Sequence, residues 1–364
     1  MIPVYQPYIA GREKEYVNQC LDSNWISSRG EFIERFEDQF ACYVKADYAT
    51  SVCNGTVALH LALAALGVGP GDEVIVPSLT YVASVNTIVH TGATPAFVDS
   101  LASTWQIDVD DVRRKITHKT KAVMAVHLYG LPCDMDKLVS LCSEYDLRLI
   151  EDCAEAFGSY YKGRHVGTFG DIATFSFFGN KTITTGEGGM VVSRSKELHD
   201  TAYQLKTQGV SREREYWHEV VAYNYRMTNI CAAIGLAQLE QADLIIEKKR
   251  AIAAWYRDGL AGLPLQSHDE IDGTRHSYWM CSITLDEPEA RAPLREHLKA
   301  SEVDTRPFFH PAHTLPPYDT KASLPVAESL SARGINLPSY PGLSEAEVGE
   351  VCSLIQQFFQ HEHP

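Results

Sequence analysis

Short apolar runs alternate with helical patterns between Asn54 and about Ser193. Several of these runs are apolar almost throughout, as expected of strands that helices cover on both faces. The runs predicted as strands are EVIVPS (73–78), TPAFVD (94–99), KAVMAVHLYG (121–130), RLIEDCA (148–154), ATFSFF (173–178) and GMVVS (189–193). The alternation predicts an α/β layered domain whose sheet is parallel at least in part.

The pattern outside this region predicts a helix over EFIERFEDQFACYV (31–44) and a second domain of mixed α+β character. A helical region over 229–260 would link the domains; beyond it, SYWMCSITL predicts a strand, and PLREHLKASEV and EVGEVCSLIQQFF predict helices. We therefore predict a large domain over 1–250 and a small one over 251–364, with the boundary within about 245–260. The N-terminal segment is a candidate to pack on the small domain.

The composition narrows the classes of partner. The chain has 364 residues and a net charge of −15, so we expect neither a nucleic acid nor an anionic membrane as a partner. A small anionic ligand stays compatible, because a local cluster can hold a phosphate inside an acidic protein. MIPVYQPYIAGREKEYV lacks the basic region and apolar run of a signal peptide, and TVALHLALAALGV (56–68) is too short to cross a bilayer.

The nine cysteines are scattered singly, without a Cys-x-x-Cys pair. An odd count without paired spacing favours neither a zinc site nor a disulfide framework. We expect small buried side chains in a reducing cytoplasm.

A candidate phosphate site lies where Asn54-Gly55-Thr56 begins a strongly helical run. Gly55 lets the backbone approach a ligand closely, and Thr56 offers a hydroxyl beside the first free N–H groups of the helix. An ordinary N-cap is the alternative interpretation, and the favoured one for this motif alone.

Candidate carboxylates follow a predicted strand. Glu151 and Asp152 come at its C-terminal end, the edge where ligands bind in open α/β sheets. One of them could hold a metal, act as a base or pair with a protonated ring nitrogen; a cap or a structural ion pair is the alternative. Glu155, three residues on, could reach the same cavity.

Lys181 lies in a polar turn just beyond ATFSFF, in which Ser176 stands between two phenylalanines. The GEGG segment (186–189) then permits backbone dihedrals that a Cβ would resist, before GMVVS resumes as a strand. A solvated loop lysine is the alternative for Lys181.

Pyridoxal 5′-phosphate (PLP) requires three groups together: a site for its phosphate, an aspartate at the end of a strand, and a lysine in a turn. The lysine must be able to lose its proton to react with the cofactor's aldehyde, which a partly desolvated site favours. The aspartate would keep the pyridine nitrogen protonated, making the ring an electron sink. Tyr81, just after a strand, is placed by sequence to cover the ring face.

The succession of CNGTVALHLAL, EDCAEAFG, GDIATFSFFGNKTITTGEGGMV and YNYRMTNICAAIGLAQL resembles the nucleotide-sugar aminotransferases of the DegT/DnrJ/EryC1/StrS family. The similarity covers nearly the whole chain, and its motifs are specific. It implies a PLP-dependent transferase of fold type I, similar to aspartate aminotransferase, with a large mixed-sheet three-layer domain and a smaller α+β domain. One branch of the family carries histidine at the lysine position and acts as a dehydratase; Lys181 is present, so transamination is implied.

The resemblance also implies roles for matching positions. Lys181 would bond to PLP and move the proton, Asp152 would pair with the pyridine nitrogen, and Tyr81 would stack on the ring. The phosphate contacts would come from Asn54, Gly55, Thr56 and Ser176. Relatives often have glutamine at position 155, so Glu155 is left with two candidate roles: a contact to the ring hydroxyl, or a hydrogen bond to the sugar.

A further phosphate contact is implied across a subunit boundary. In this family a residue of the YNYRMTN segment reaches the phosphate of the neighbouring subunit, which implies a homodimer with shared active sites, or a tetramer. Asn224 is the predicted residue, ahead of Arg226 and Asn229.

The segment DTRPFFHPAHTLPPY (304–318) is dense in polar and aromatic groups. His310 and His313 are three residues apart, but Pro311 between them disfavours a regular helix that presents both, so no metal site is predicted. The resemblance instead implies substrate contacts by Arg306, His310 and Tyr318, the arginine through bidentate bonds to a diphosphate. It leaves open which histidine touches substrate.

Ser28, in the WISSRG loop (25–30), is a further candidate for substrate contact, with simple loop solvation as the alternative.

Within the family, the resemblance is strongest in the segments MIPVYQP, WISSRG, FFGNKTITTGEGGM and TRPFFHPAHTLPPY, and it implies one activity. It is transfer of the amino group of L-glutamate to C4 of GDP-4-keto-6-deoxymannose, by way of pyridoxamine phosphate. A sister enzyme acting on a UDP- or dTDP-linked keto sugar is the alternative. A non-catalytic PLP-binding partner or regulator is a remote one, against which the intact Lys181 and Asp152 weigh.

Overall fold

The computed structural model describes residues 1–318 and 320–362, which form a mixed α/β structure around one large sheet. The helices are α1 (Glu13–Ser23), α2 (Glu31–Val44), α3 (Gly55–Ala65), α4 (Ala83–His90), α5 (Val109–Lys115), α6 (Met135–Glu144), α7 (Lys196–Lys206), α8 (Asn229–Glu240), α9 (Ala242–Gly259), α10 (Arg291–Ala300), α11 (Pro325–Arg333) and α12 (Glu345–Glu362). The strands are β1 (Tyr48–Val52), β2 (Glu73–Pro77), β3 (Thr94–Val98), β4 (Thr120–Val126), β5 (Arg148–Asp152), β6 (Tyr160–Tyr161), β7 (Arg164–His165), β8 (Ile172–Ser176), β9 (Gly189–Ser193), β10 (Leu265–Ser267), β11 (Thr274–Arg275), β12 (Cys281–Leu285), β13 (Arg306–Pro307) and β14 (Gly334–Leu337).

The large sheet has the strand order β1-β9-β8-β5-β4-β2-β3 in the described chain. Neighbours from β8 to β3 are parallel, whereas β9 runs antiparallel to both β8 and β1. The central strands are buried almost along their whole length, since helices cover both faces of the sheet. The predicted α/β class, with a sheet that is parallel in part, is confirmed.

The segment that carries Lys181 connects an antiparallel pair. Strands β8 and β9 pair from Ile172 opposite Ser193 to Ser176 opposite Gly189. At the base of the connection, Phe177 donates its backbone N–H to the Gly188 carbonyl at 2.8 Å. The hairpin therefore returns the chain into the sheet and leaves Lys181 at its tip.

A smaller antiparallel sheet has the order β10-β12-β14-β13. Apolar side chains of α9, α10 and α12, among them Ile252, Leu294 and Ile355, pack against it. The N-terminal segment reaches this region, where Ile2 forms a bridge with Val303. The predicted division at residue 250 stays a prediction; α11, which lies beyond it, packs with apolar side chains of the large sheet.

Several element boundaries differ from those predicted. The helical region over 229–260 is interrupted at Gln241, whose φ of −105° and ψ of 6° leave the α-helical range and separate α8 from α9. Strand β4 ends at Val126, because a tight turn over 128–130 follows in which Tyr129 has a φ of 56°. Strand β1 was not among the predicted strands; it is short, and its last residue lies just before the Asn54 turn.

Among the residues that the structure describes, no helix combines the length and the apolar character needed to cross a membrane.

Lys206 forms a buried ion pair that joins α7, α2 and β1. Its Nζ donates to Glu37 Oε1 and to the Ser51 carbonyl, both at 2.9 Å. The Lys206→Met variant leaves the Glu37 carboxylate without its cation in a largely buried place, which should cost about 3–5 kcal/mol of unfolding free energy in urea denaturation. Lys196→Met on the same helix is the control, because its pair with Asp200 is solvent-exposed. An equal loss in both variants would contradict the assignment.

Candidate active site

A cavity of about 470 Å³ opens at the edge of the large sheet where β2, β5 and β8 end. Ends of parallel strands that share a sheet edge bring distant parts of the sequence together. All of the predicted cofactor residues except Asn224 line this inner chamber: Asn54, Gly55, Thr56, Tyr81, Asp152, Glu155, Ser176 and Lys181.

The Asn54 turn is an N-cap and a candidate anion site at once. Asn54 Oδ1 accepts the backbone N–H of Val57 at 2.9 Å, which uses the side-chain oxygen of Asn54 within the helix. The N–H groups before Val57, on Gly55 and Thr56, belong to the first turn and have no acceptor within the helix. A Cβ on Gly55 would lie 2.6 Å from Ser176 Cβ, so glycine is what lets this backbone lie against β8.

The two carboxylates at the end of β5 face opposite sides of the sheet. Asp152 faces the chamber, where its Oδ2 accepts from Ser84 Oγ at 2.8 Å and its Oδ1 accepts from the Ala154 N–H at 3.0 Å. Glu151 points away and accepts three backbone N–H groups, those of residues 167, 169 and 170, each at 2.7 Å. Asp152 is thus available to a ligand, and Glu151 has the structural role that we considered as the alternative.

Lys181 is not a solvated loop lysine. Its Nζ lies 4.0 Å from the ring centroid of Trp279 and 4.0 Å from Glu155 Oε1, and its side chain is only 12% exposed. Burial lowers the pKa of the amine, and the nearby charges of Glu155 and Asp152 oppose that shift. The cavity therefore favours the neutral, nucleophilic form of the lysine more than water does.

Glu155 lies beside this amine in the chamber. Its Oε2 accepts the backbone N–H of Tyr129 at 2.8 Å, a bond made possible by the left-handed turn there. Burial raises the pKa of Glu155 to about 7, while the charge of Lys181 acts in the opposite direction. The choice between a ring contact and a sugar contact for Glu155 stays open.

These residues fit PLP. One cavity is lined by a buried carboxylate, a largely desolvated amine and the start of α3, a candidate anion site. Because Gly55 has no side chain, the backbone there is open to a ligand in the cavity. Tyr81 presents an aromatic ring that is 55% exposed at the cavity wall, next to Phe309 at 5.5 Å between ring centroids. The cofactor roles themselves stay predictions.

An outer chamber of about 420 Å³ adjoins the inner one and is lined by Arg306 and His310. The residues common to both chambers are Thr80, Tyr81, Asn180, Trp279 and Phe309. Arg306 is exposed, and its Nη1 donates to Asp304 Oδ1 at 2.6 Å and to the Thr305 carbonyl at 3.2 Å, so Nε and Nη2 are its candidate donors for a ligand. The arrangement can seat a larger ligand whose reacting end reaches Lys181.

The two histidines of the 304–318 segment have different environments. His310 is exposed on the outer chamber. His313 is buried: its Nδ1 lies 2.6 Å from Ser78 Oγ and its Nε2 lies 3.2 Å from Glu328 Oε1. His313 therefore packs the segment against the protein, and His310 is the histidine that a substrate can reach.

Three predicted residues lie away from both chambers of the described chain. Tyr318 donates its hydroxyl to Asn86 Oδ1, and its ring packs 6.4 Å from that of Phe97. Asn224 is exposed and accepts from Arg226 Nε at 2.9 Å. Ser28 belongs to the 25–30 loop, which lies against the first turn of α8.

Asn229 was an alternative to Asn224, but its side chain is committed to the 25–30 loop. Its Oδ1 accepts the Phe32 N–H at 3.0 Å, and its Nδ2 donates to the Trp25 carbonyl at 2.7 Å. This leaves the exposed Asn224 and the partly buried Arg226 as the polar candidates of the segment.

Sequence reasoning missed Trp279. Its indole N–H donates to the Asn180 carbonyl at 2.8 Å, which places the ring over the neighbouring Lys181. The only signal in the sequence was an aromatic pair at the start of a predicted strand, and nothing there indicated a contact with residue 181.

Comparisons with known proteins agree with this geometry. The model of the DegT/DnrJ/EryC1/StrS aminotransferase family matches residues 7–356. The chain is 60% identical to the GDP-perosamine synthase of Escherichia coli O157:H7 over 359 residues, covering 98% of each chain. It is 57% identical to the GDP-perosamine synthase of Vibrio cholerae, covering 99% of each.

A solved structure has the same fold. The sugar aminotransferase Spr1654 from Streptococcus pneumoniae in its PLP form superposes with a TM-score of 0.94 over 99% of both chains, at 29% identity. The fold type expected from the resemblance is confirmed. The chain belongs to the DegT/DnrJ/EryC1/StrS aminotransferase family.

Proposed function

We propose that the chain transfers the amino group of L-glutamate to C4 of GDP-4-keto-6-deoxy-D-mannose, giving GDP-perosamine and 2-oxoglutarate with PLP as cofactor. The observation that carries the proposal is the meeting of Lys181, Asp152 and the Gly55 helix start in one chamber. The two relatives at 57% and 60% identity, both GDP-perosamine synthases, support the choice of sugar nucleotide. The product would serve polysaccharide assembly, such as that of O-antigen.

The residues of the inner chamber would hold the cofactor. The free N–H groups at the start of α3, with Thr56 and Ser176, would bind the phosphate. Asp152, fixed by Ser84 and the Ala154 N–H, would keep the pyridine nitrogen protonated. When bound, PLP supplies an aldehyde that exchanges amino groups and a ring that delocalises electrons.

Lys181 would act as the nucleophile that anchors the cofactor and as the group that moves a proton. Its amine lies in a site where burial disfavours the ammonium, so it can take a proton from carbon and return it. Trp279 covers one side of the amine and limits the approach of water.

The outer chamber would seat the sugar nucleotide. Arg306 can bind a diphosphate through its free donors, and His310 stands on the same wall. The continuity of the two chambers would bring the keto carbon towards Lys181. A sister activity on a UDP- or dTDP-linked keto sugar differs in these outer contacts alone.

A homodimer is proposed as the working unit, with a tetramer as the alternative. Asn224 is exposed, Ser28 is partly exposed, and both lie outside the chambers of their own chain, which suits a role at the active site of a neighbouring copy. The unpaired cysteines support a reducing cytoplasmic location.

Purified protein should be yellow, and L-glutamate should bleach the visible absorbance as the pyridoxamine form accumulates. Lys181→Ala should keep its circular dichroism spectrum but lose the glutamate-driven change, because Lys181 is the one lysine among the described residues that line the inner chamber. Amination should fall by at least about a thousandfold, as expected when a general acid–base group and nucleophile is removed. Amination by the variant at the wild-type rate would refute the assignment.

A panel of substrates tests the nucleotide. The pyridoxamine form should aminate the GDP-linked 4-keto-6-deoxy sugar in preference to UDP- and dTDP-linked 4-keto sugars, measured by mass spectrometry of the amino sugar. Amination of the dTDP sugar alone would overturn the perosamine assignment and leave the aminotransferase class intact.

Substitution of each histidine in turn distinguishes a residue that contacts substrate from one that packs the segment against the protein. His310→Asn should raise the KM for the sugar nucleotide and leave the melting temperature near that of the wild type, since the side chain is exposed on the outer chamber. His313→Asn removes the buried contact to Ser78 and the partly buried one to Glu328, and should lower the free energy of unfolding by about 1–3 kcal/mol. The reverse pattern would refute the division of roles.

A further inference from the structure

A second ionisable group lies beside the reactive amine, and the steps proposed above give it no task. Glu155 Oε1 is 4.0 Å from Lys181 Nζ, and the two side chains are 5% and 12% exposed. Glu155 Oε2 is occupied by the backbone N–H of Tyr129 at 2.8 Å. The backbone therefore fixes the carboxyl group and leaves Oε1 as the atom nearer the amine.

The surroundings of this pair are largely apolar or already bonded. Asp152 is the other charged group that acts on both members, and its oxygens accept from Ser84 and Ala154. On the lysine side, the Trp279 ring lies 4.0 Å from Nζ. Burial disfavours the charged form of both an acid and an amine. The chamber therefore favours the neutral pair over the ion pair more than water does.

We propose that Glu155 is the proton acceptor for Lys181. An N–H bond of the ammonium breaks, an O–H bond forms at Oε1, and a neutral amine and a neutral carboxylic acid remain. The charge of the chamber does not change, and no co-reactant is needed. The 4.0 Å between the two atoms exceeds hydrogen-bond distance, so the transfer requires a change of the lysine rotamer or one bridging water.

The purpose of this transfer rests on the proposed function. An amine that is to take a proton from carbon must first lose its own, and an internal acceptor removes the need to release that proton to solvent. The direction of both pKa shifts agrees: burial raises the pKa of Glu155 to about 7 and lowers the pKa of Lys181. Near neutral pH the carboxyl group can thus hold the proton.

Infrared difference spectroscopy on the cofactor-free, full-length protein tests the proposal without turnover. Wild-type protein should show the C=O band of a protonated, buried carboxylic acid that titrates near pH 7, and Glu155→Gln should lack it. Glu187→Gln is the matched control, because Glu187 lines the same chamber but is exposed; it should keep the band.

Lys181→Met supplies a second arm that leaves Glu155 in place. A neutral amine exerts no charge on Glu155, so the midpoint of the band should stay near its wild-type value; a charged lysine would instead hold the wild-type midpoint below that of the variant, because that charge lowers the pKa of Glu155. A midpoint that moves to higher pH would show that Lys181 is still charged when Glu155 ionises and would overturn the proposed transfer, and a band that survives in Glu155→Gln would overturn the assignment to Glu155. Near-ultraviolet circular dichroism verifies that each variant is folded, and the Lys181→Met arm still decides if Glu155→Gln does not fold.

The pH dependence of amine labelling gives a third readout. In cofactor-free Glu155→Gln, Lys181 should react with an amine-directed reagent over the same pH range as in the wild type, since the protonated Glu155 and its amide replacement are both uncharged. Reaction of the variant at lower pH than the wild type would show that a carboxylate raises the pKa of the amine and would overturn the proposed transfer. Failure of the infrared test with normal amination overturns the proton acceptor alone, whereas absence of amination by the wild-type protein overturns the proposed function alone.

Discussion

Strand β5 ends in two consecutive carboxylates, and the alternation of side chains along a strand sends them to opposite faces of the sheet. Asp152 faces the chamber, whereas Glu151 gathers the backbone N–H groups that precede β8. The strand that supplies a group to the site thus also fastens the segment leading to Ser176 and Lys181. A slip of one residue in the register of β5 would exchange the two carboxylates and disrupt both functions.

Desolvation governs the chemistry of the inner chamber. It penalises the ammonium of Lys181 and the carboxylate of Glu155 alike, which is unfavourable for stability and favourable for a reactive amine. The rest of the molecule offsets this local cost through well-packed apolar regions. Around α2, for example, the rings of Phe40 and Phe175 meet edge to face at 5.0 Å between centroids.

Much of the fold and part of the site could be predicted from the sequence. The strands of the large sheet carry continuous apolar runs, which local pattern reveals. The residues of the inner chamber follow strand ends or begin a helix, so the same local pattern was sufficient to predict that Asp152 and Lys181 belong to the site. Contacts made across long separations in the chain have no such signal. Trp279 over Lys181, the burial of His313 against Ser78, and the use of Asn229 to hold the 25–30 loop all depend on tertiary packing.

The break at Gln241 and the left-handed turn at Tyr129 were missed for a related reason. A single residue with unusual dihedrals changes no hydrophobic period, so the apolar pattern of 229–260 and of 121–130 continues across it. Tertiary contacts decide such positions: the Tyr129 N–H is bonded to Glu155, which lies in another part of the sequence.

The indole of Trp279 belongs to the segment after α9, yet its N–H is bonded to the lysine hairpin at Asn180. The ring that lies over the Lys181 amine therefore comes from a different segment of the chain than the lysine itself. Chimeras that exchange C-terminal segments between homologous enzymes would transplant this ring along with Arg306 and His310 of the outer chamber. Such an exchange would therefore change the surroundings of the lysine and the lining of the outer chamber together.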